Sequence, residues 1–381
     1  MRSKLFFYSN HREDDMSIGI SKKVHAQIQA FQSKNMEVFY SAYYKNGVGI
    51  FDNSGRLVEY KRIYIKKTAL KKLIRRIKLL NFCRKYLKHN KMEFQCLYMR
   101  FHFWDIFSQQ FVKEAKKNKM KVIVEAHSYP YYVNKTNFYM KIVYFLDRKY
   151  SSNISRFIDL VAAISESVEC IWNCKTIRIE NGISLIDNVQ RQGYSHCDDS
   201  ITLMSVANEQ SAHGIDRLIR GVKNYYESNN TQKITVWLVG EYLKETKALV
   251  SQLDLDEKIL FIGKKFGNDL YRYYSMADIG IGPLAGYRAG IHSGTCLKTK
   301  EYFAVGLPFI TCASINAEIN KFPYIYVVPE NDEPIDIEKI LKFKESLENY
   351  EEVAYDMHQY AMKHYMWEKE VEKILECLNL D

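Results

Sequence analysis

Leu203-Met204-Ser205-Val206-Ala207-Asn208-Glu209-Gln210-Ser211-Ala212-His213-Gly214 is a short apolar run closed by a polar loop, and residues 215–226 after it have helical spacing. Strand, loop and helix in that order form the repeating unit of an α/β protein. The unit recurs on both sides. Downstream, apolar runs over 235–239, 259–262, 279–282, 308–311 and 324–328 alternate with helix-period segments. Upstream, runs over 5–8, 37–40, 96–99, 121–125 and 160–163 do the same. The turn dipeptide Asn181-Gly182 and the polar stretch 187–200 separate the two series, so the pattern predicts two doubly wound parallel-sheet domains in tandem. The expected division is 1–185, 186–350 and a closing helical tail over 351–381, with Trp367, Val371, Ile374 and Leu378 at helical spacing.

In doubly wound sheets ligands bind beyond the carboxyl ends of the strands, which makes four strand-to-helix loops candidate sites. The first is Ile18-Gly19-Ile20-Ser21, where Gly19 permits close backbone approach and Ser21 can cap a helix. The second, Glu125-Ala126-His127-Ser128-Tyr129-Pro130, places a carboxylate and an imidazole at a strand end, suited to proton transfer or to orienting a hydroxyl; a hydrogen-bonded loop histidine is the structural alternative. The third is the 207–214 loop quoted above. The fourth runs through Gly290-Ile291-His292-Ser293-Gly294-Thr295-Cys296-Leu297-Lys298-Thr299-Lys300-Glu301 and on to Pro308. Its small residues open a helix whose first-turn amides and dipole favour an anion, and Lys298 adds a full positive charge.

The 381 residues are 47% hydrophobic and 26% charged, which excludes a disordered or fibrous chain. No run approaches the roughly 20 apolar residues of a bilayer-spanning helix. Residues 5–8 are followed at once by Asn10-His11-Arg12-Glu13, too short a run for a secretory signal, so a cytoplasmic protein is expected. The eight scattered cysteines read as reduced thiols; Cys170, Cys174, His196 and Cys197 as zinc ligands is the weaker alternative, and no metal motif is expected.

The net charge of +10 is local. Between residues 61 and 91 lie thirteen Lys or Arg and no acidic residue, so the rest of the chain carries −3. Within this segment Leu70, Leu73, Ile74, Ile77 and Leu80 share one helical face, while Lys71, Lys72, Arg75, Arg76 and Lys78 lie on the others. A basic amphipathic helix of this kind packs its stripe on a core, lies on an anionic bilayer or binds nucleic acid.

Taken together, these residues resemble the GT-B glycosyltransferases of glycosyltransferase family 4, which retain anomeric configuration and use nucleotide-sugar donors. Ile164-Ser165-Glu166-Ser167 with Ile179-Glu180-Asn181-Gly182-Ile183 is similar to the family's "SE…PNGV" passage. Val239-Gly240-Glu241, Phe261-Ile262-Gly263 and Met276-Ala277-Asp278-Ile279 resemble its "VGEG", "FxG" and "ADI" landmarks. Leu297-Lys298-Thr299-Lys300-Glu301-Tyr302 with Gly306-Leu307-Pro308-Phe309-Ile310 is similar to "LKxxEYxAxGxPxI". Of the family's two acidic residues eight apart, Glu301 occupies the second place and Ser293 the first. Asn208 and His213 stand where many members have Arg and Lys, which shifts phosphate neutralisation to Lys298, Lys264 and Arg288.

The resemblance implies a GT-B architecture, two Rossmann-like domains facing a central cleft, with a final helix crossing back to the first domain. It implies a hexosyl transfer, without metal or cofactor, from a UDP- or GDP-linked sugar to a glycan or lipid-linked acceptor in bacterial surface polysaccharide synthesis (capsule, exopolysaccharide or lipopolysaccharide). His127, Lys298 and Glu301 are the implied catalytic residues. Gly19, Asn208, His213, Gly240, Lys264, Arg288, Ser293, Gly294, Thr295 and Leu297 complete the implied donor site. The basic helix is then expected at the inner face of the cell membrane, through Lys71, Lys72, Arg75, Arg76 and Lys78, rather than on nucleic acid. A nucleic-acid-binding or inactive protein on the same scaffold is the alternative.

Overall fold

The computed structural model describes residues 3–15, 19–64, 70–90, 94–127, 138–164, 170–183, 200–290, 296–312 and 322–379. The chain forms two units, Met1–Ser184 with Trp367–Asp381, and Leu185–Met366.

The first unit is built on β1 (Lys4–Tyr8), β2 (Glu37–Tyr44), β3 (Gly47–Phe51), β4 (Leu57–Arg62), β5 (Phe94–Arg100), β6 (Lys121–Ala126), β7 (Leu160–Ile164) and β8 (Thr176–Ile179). Their order is β4-β3-β2-β1-β5-β6-β7-β8, parallel except at the β2-β3 and β3-β4 pairs. The strand order reverses at β1, whose neighbours are β2 and β5. Its helices are α1 (Gly19–Ser33), α2 (Lys71–His89), α3 (Ile106–Lys117) and α4 (Phe138–Ser151). Because parallel strands are covered on both faces, β1, β5, β6 and β7 are apolar on both. One core holds Phe6, Leu97, Val122 and Val161 with Leu80 and Cys83 of α2 and Phe111 of α3. The opposite core holds Leu5, Phe7, Cys96 and Ile123 with Val24 and Phe31 of α1.

The second unit repeats the plan with β9 (Ser200–Asn208), α5 (Ile215–Glu227), β10 (Lys233–Glu241), α6 (Lys244–Gln252), β11 (Ile259–Gly263), α7 (Gly267–Met276), β12 (Ile279–Ile281), α8 (Leu297–Val305), β13 (Phe309–Thr311), β14 (Ile325–Val327), α9 (Ile337–Glu345) and α10 (Tyr350–His364). The all-parallel order β11-β10-β9-β12-β13-β14 is that of a dinucleotide-binding Rossmann sheet, with its switch point between β9 and β12.

The last helix, α11 (Trp367–Glu376), returns to the first unit, where Trp367, Val371 and Ile374 join the core beside α1. Gly182 makes the return possible: a Cβ there would meet the Trp367 ring and backbone at 2.8 Å. The helical tail expected as one element from 351 onward is thus two helices, broken at Tyr365 and Met366, and α10 belongs to the second unit.

The basic segment differs most from expectation. Its inward face comes from the second half of α2 (Leu79, Leu80, Phe82, Cys83, Tyr86 and Leu87), whereas Leu73, Ile74 and Ile77 are only half-buried and Leu70 is 48% exposed. Arg76, expected on the outer face with the other cations, is buried; its guanidinium pairs with Asp105, donates to the Phe103 carbonyl at 2.8 Å and lies 4.0 Å over the Phe103 ring. Asp105 caps α3 through the Ser108 amide, and a buried carboxylate in that place requires a counter-charge. Arg75 covers the Tyr43 ring at 4.3 Å, which leaves Lys71, Lys72 and Lys78 as the exposed cations of this turn.

Candidate functional site

In the second unit, the loop after β9 is held by reciprocal bonds. Glu209 accepts from the Leu243 amide at 2.8 Å and the Thr246 hydroxyl at 2.6 Å. The carbonyls of Ala212 and His213 accept from the amides of Ala285 and Leu284, which ties this loop to the one after β12 at the switch point. Arg217, fully buried at the start of α5, adds a third tie by donating to the carbonyls of Leu284 and Glu333 and to Asn331 Oδ1. Arg217 has no signature in the sequence, because an arginine at the start of an amphipathic helix gives no sign that loop carbonyls will enclose it.

The helix that follows β12, α8, opens with Leu297 and Lys298, and among the described residues no side-chain hydrogen bond caps it. It is fixed by Tyr302, whose buried hydroxyl donates to the Ile281 carbonyl at 3.0 Å. This anchoring places Lys298 in the interior: its ammonium is buried and has no hydrogen-bond partner among the described residues. Burial pushes the Lys298 pKa down to about 8. His213 lies close enough to be affected by that charge, and burial together with Lys298 lowers it to about 4. His213 is therefore neutral near pH 7; its Nδ1 accepts from the Gln210 amide at 2.9 Å, which puts the ring proton on Nε2 as a donor. A buried cation without a partner among the described residues, a neutral N–H donor and a helix start are each groups that favour an anion.

Other expected donor-site residues are placed differently. Arg288 is held by Asp216 at 2.7 Å and Asp332 at 2.6 Å, and Lys264 pairs with Glu241 at 2.6 Å, so the two cations nominated to share phosphate neutralisation already have carboxylate partners. Glu301, one turn beyond Lys298, accepts from the Tyr274 hydroxyl at 2.7 Å. Leu297 is 45% exposed, and Asn208 ends β9 opposite Glu241. Ser293, Gly294 and Thr295 lie outside the described residues.

Gly240 has a steric role. At φ +126° a Cβ would come within 1.9 Å of the Ala207 carbonyl oxygen, so only glycine lets β10 pass the end of β9. Gly240→Ala is expected to cost more than about 1 kcal/mol of stability; an unchanged melting temperature would remove this explanation.

In the first unit, Gly19 opens α1, and His127 directly follows β6 and is half-buried, with Nδ1 unpartnered among the described residues and its ring 5.6 Å from that of His102. His102 in turn bonds Asn10 Oδ1 at 2.8 Å. Glu125, considered above for proton transfer, is a buried charge hub. It binds Lys23 at 3.0 Å, Gln27 at 2.9 Å, Tyr98 at 3.0 Å and Arg100 at 3.3 Å. Burial raises its pKa, but the charges of Lys23 and Arg100 and the bond from Gln27 outweigh this and hold it far below the usual carboxylate range. Such a group does not exchange a proton near neutral pH.

A second cluster lies in the loop after β1. His11 and His25 both place Nε2 on Glu13 Oε2, at 3.0 and 3.1 Å, and the Tyr40 hydroxyl donates to Glu13 Oε1 at 2.9 Å. In the sequence, Asn10-His11-Arg12-Glu13 stands out only as the polar end of an apolar run. The i, i+2 spacing of His11 and Glu13 puts them on one side of an extended segment, which was the available signal; the third member comes from a helix.

Residues 200–343 match the family model described as "Glycosyl transferases group 1". Among curated proteins none matches the sequence. The chain is similar in fold to a glycosyltransferase from Rickettsia africae (TM-score 0.67, 14% identity, covering 100% of both chains). It is likewise similar to Anabaena HepE in complex with UDP (TM-score 0.60, 12% identity, 99% of both chains). Sucrose-phosphate synthase from Thermosynechococcus elongatus is a third (TM-score 0.60, 14% identity, 99% of this chain and 98% of that one). The expected fold class is therefore the one found: a mixed α/β protein of two parallel-sheet domains, like the solved GT-B glycosyltransferases.

Proposed function

We propose that this protein transfers a sugar from a nucleotide-diphosphate donor, with retention, to a glycan or lipid-linked acceptor of a bacterial surface polysaccharide. The observation that carries the reading is Lys298: a buried ammonium without a counter-charge among the described residues, at the start of an uncapped helix beside the switch point of a Rossmann sheet. A diphosphate supplies the missing negative charge, and its leaving-group charge is stabilised by Lys298, the first amides of α8 and the Nε2–H of His213. Glu301, oriented by Tyr274, serves the ribose, and His127 the reacting carbon. The match of residues 200–343 to the glycosyl transferases group 1 model supports this assignment, and the HepE complexes make UDP the first donor nucleotide to test.

A thermal-shift series with UDP, GDP and their sugars tests the reading directly, since a ligand that binds only the folded state raises its stability by about 2.7 kcal/mol at one hundred times its Kd. One nucleotide series is expected to raise the melting temperature. No shift with any of them, together with salt-sensitive retention on RNA or DNA, would overturn the proposal in favour of a nucleic-acid binder.

The reading extends to the cytoplasmic membrane surface. No helix of the described residues is long and apolar enough to cross a bilayer. The exposed Lys71, Lys72 and Lys78, next to the incompletely buried Leu70, Leu73, Ile74 and Ile77, support peripheral attachment. The protein is expected to sediment with phosphatidylglycerol vesicles and not with phosphatidylcholine alone. Reversing the three lysines to Glu removes at least about 3 kcal/mol of attraction, at about 1 kcal/mol per charge, and abolishes sedimentation. Pelleting that ignores lipid charge would refute an electrostatic anchor.

A further inference from the structure

Within the first unit, the loop between β1 and α1 is not a loose connection. The Glu13 amide donates to the Tyr43 carbonyl at 2.9 Å, the Tyr43 amide donates to the His11 carbonyl at 2.8 Å, and the Ser21 hydroxyl donates to the Arg12 carbonyl at 2.9 Å. The loop is thereby pinned to β2 on one side and to the start of α1 on the other. His11 and Glu13 project from it, and His25 meets them from α1, so that the ligand atoms of all three lie within 4.8 Å of one another.

We propose that His11 Nε2, Glu13 Oε2 and His25 Nε2 form a binding site for one divalent transition-metal ion of the zinc class. The proposal goes beyond the sugar transfer and does not depend on it. Two imidazole nitrogens and one carboxylate oxygen are a donor set that Zn2+, Co2+ and related ions accept and that Mg2+ and Ca2+, which take oxygen ligands, do not favour. Tetrahedral bonds of about 2.0–2.1 Å set neighbouring donor atoms about 3.3 Å apart. The two imidazole–carboxylate contacts, 3.0 and 3.1 Å, need to open by only a few tenths of an ångström, and the two imidazole nitrogens, within 4.8 Å of each other, have to meet the same spacing.

The atoms behind the ligands are also in place. A metal-bound imidazole normally gives its second N–H to a hydrogen-bond acceptor, and His11 Nδ1 lies 3.1 Å from Ser9 Oγ. In that tautomer Nε2 presents a lone pair toward the carboxylate, an arrangement that a cation between the two makes favourable. The second oxygen of Glu13 is likewise occupied, by the Tyr40 hydroxyl, which leaves Oε2 as the ligand atom. His11 is buried while Glu13 and His25 are half-buried, so the open side faces outward. Three protein ligands leave a fourth position for water or another oxygen donor. The bound ion ties the β1–α1 loop to α1 more tightly than the carboxylate alone.

The test uses the full chain, stripped with a chelator and titrated with CoCl2 while visible absorption is recorded. The expected result is one equivalent of Co2+ per chain with the d–d bands of a low-coordinate nitrogen and oxygen site, displaced by ZnCl2 and not by MgCl2. His25→Ala and Glu13→Gln, at positions where a change does not open the core, are expected to weaken binding at least tenfold while circular dichroism stays that of the wild type. ZnCl2 should raise the melting temperature of the wild-type protein and not of these variants. Absence of stoichiometric Co2+ binding would overturn the proposal. So would binding that survives in both variants or shows thiolate charge-transfer bands, which would assign the ion to the cysteines.

Discussion

Lys298→Met binds UDP at least tenfold more weakly than the wild-type protein, and its ligand-free form is no less stable. The two halves of this expected result have one cause. A buried ammonium without a counter-charge costs free energy in the empty protein and returns it when a diphosphate arrives. Truncating an ordinary structural lysine gives the opposite pattern, lower stability with no special effect on nucleotide binding. The pH dependence follows with a definite sign. Burial has pushed Lys298 to about 8, below its ordinary value of 10.5. Below pH 8 both folded and unfolded chains hold the proton, and the folded state bears the whole penalty. Between about 8 and 10.5 the unfolded chain binds more protons, so the stability of the ligand-free protein rises with pH by about 3 kcal/mol relative to Lys298→Met. Isothermal titration with UDP and denaturant unfolding from pH 7 to 10 read both effects. Wild-type UDP affinity in Lys298→Met and Lys298→Ala would sink the donor-site assignment. Glu301→Ala, which leaves Tyr274 without its acceptor, is expected to lower turnover at least tenfold.

Regular periodicity made most of the architecture legible in advance. Every run assigned to a strand by its apolar character is a strand, because a parallel sheet buried on both faces selects a continuous apolar segment. The strands that escaped notice are β3, β4 and β8; β3 is buried throughout but short, and its Gly47 and Gly49 weaken a strand pattern. All six residues of β4 are exposed, so this edge strand has no burial to imprint a pattern, and β8 is a short edge strand whose only buried residue is Ile179. Alternation of charge and Leu/Ile over 70–80 gave the right element and the wrong inward face, since spacing along a helix fixes which residues are neighbours and not which of them meets the core. Arg76 shows the limit clearly: Asp105 and Phe103, far off in sequence, explain its burial. The site divides in the same way. The place of Lys298 at the start of α8 was legible from the helix-period segment it opens, and its burial was not. The pairing of Arg288 with Asp216 and Asp332 and the approach of His25 to His11 and Glu13 are tertiary, and one sequence holds no trace of them.

Glu125→Gln is expected to destabilise the first unit by about 3–5 kcal/mol, the usual consequence of removing one partner from a buried ion pair. Here one carboxylate answers two cations. Lys23, with its ammonium also on Asn181 Oδ1 at 2.7 Å and over the Trp367 ring at 5.2 Å, joins α1, the 181–183 segment and α11. Arg100 brings in the end of β5. Glutamine keeps the shape and the acceptor oxygen for Gln27 or Tyr98 but leaves both cations buried without their counter-ion. The resulting fall in melting temperature is roughly 6–20 °C for a unit of this size. Adding Lys23→Met recovers part of the loss, because it removes one of the two stranded charges, and the deviation from additivity measures the coupling. The depressed pKa of Glu125 gives the acid limb of the stability curve its sign: the contribution is complete above about pH 4.5 and is lost as pH falls toward the folded value, so wild type and Glu125→Gln converge in acid. Below the variant's melting temperature its UDP affinity stays within threefold of wild type, since the donor nucleotide is assigned to Lys298 in the other unit. A Glu125→Gln protein as stable as wild type at pH 7 would show that water or rearrangement relieves the two cations. One that folds normally but has lost all turnover would restore Glu125 to the chemistry.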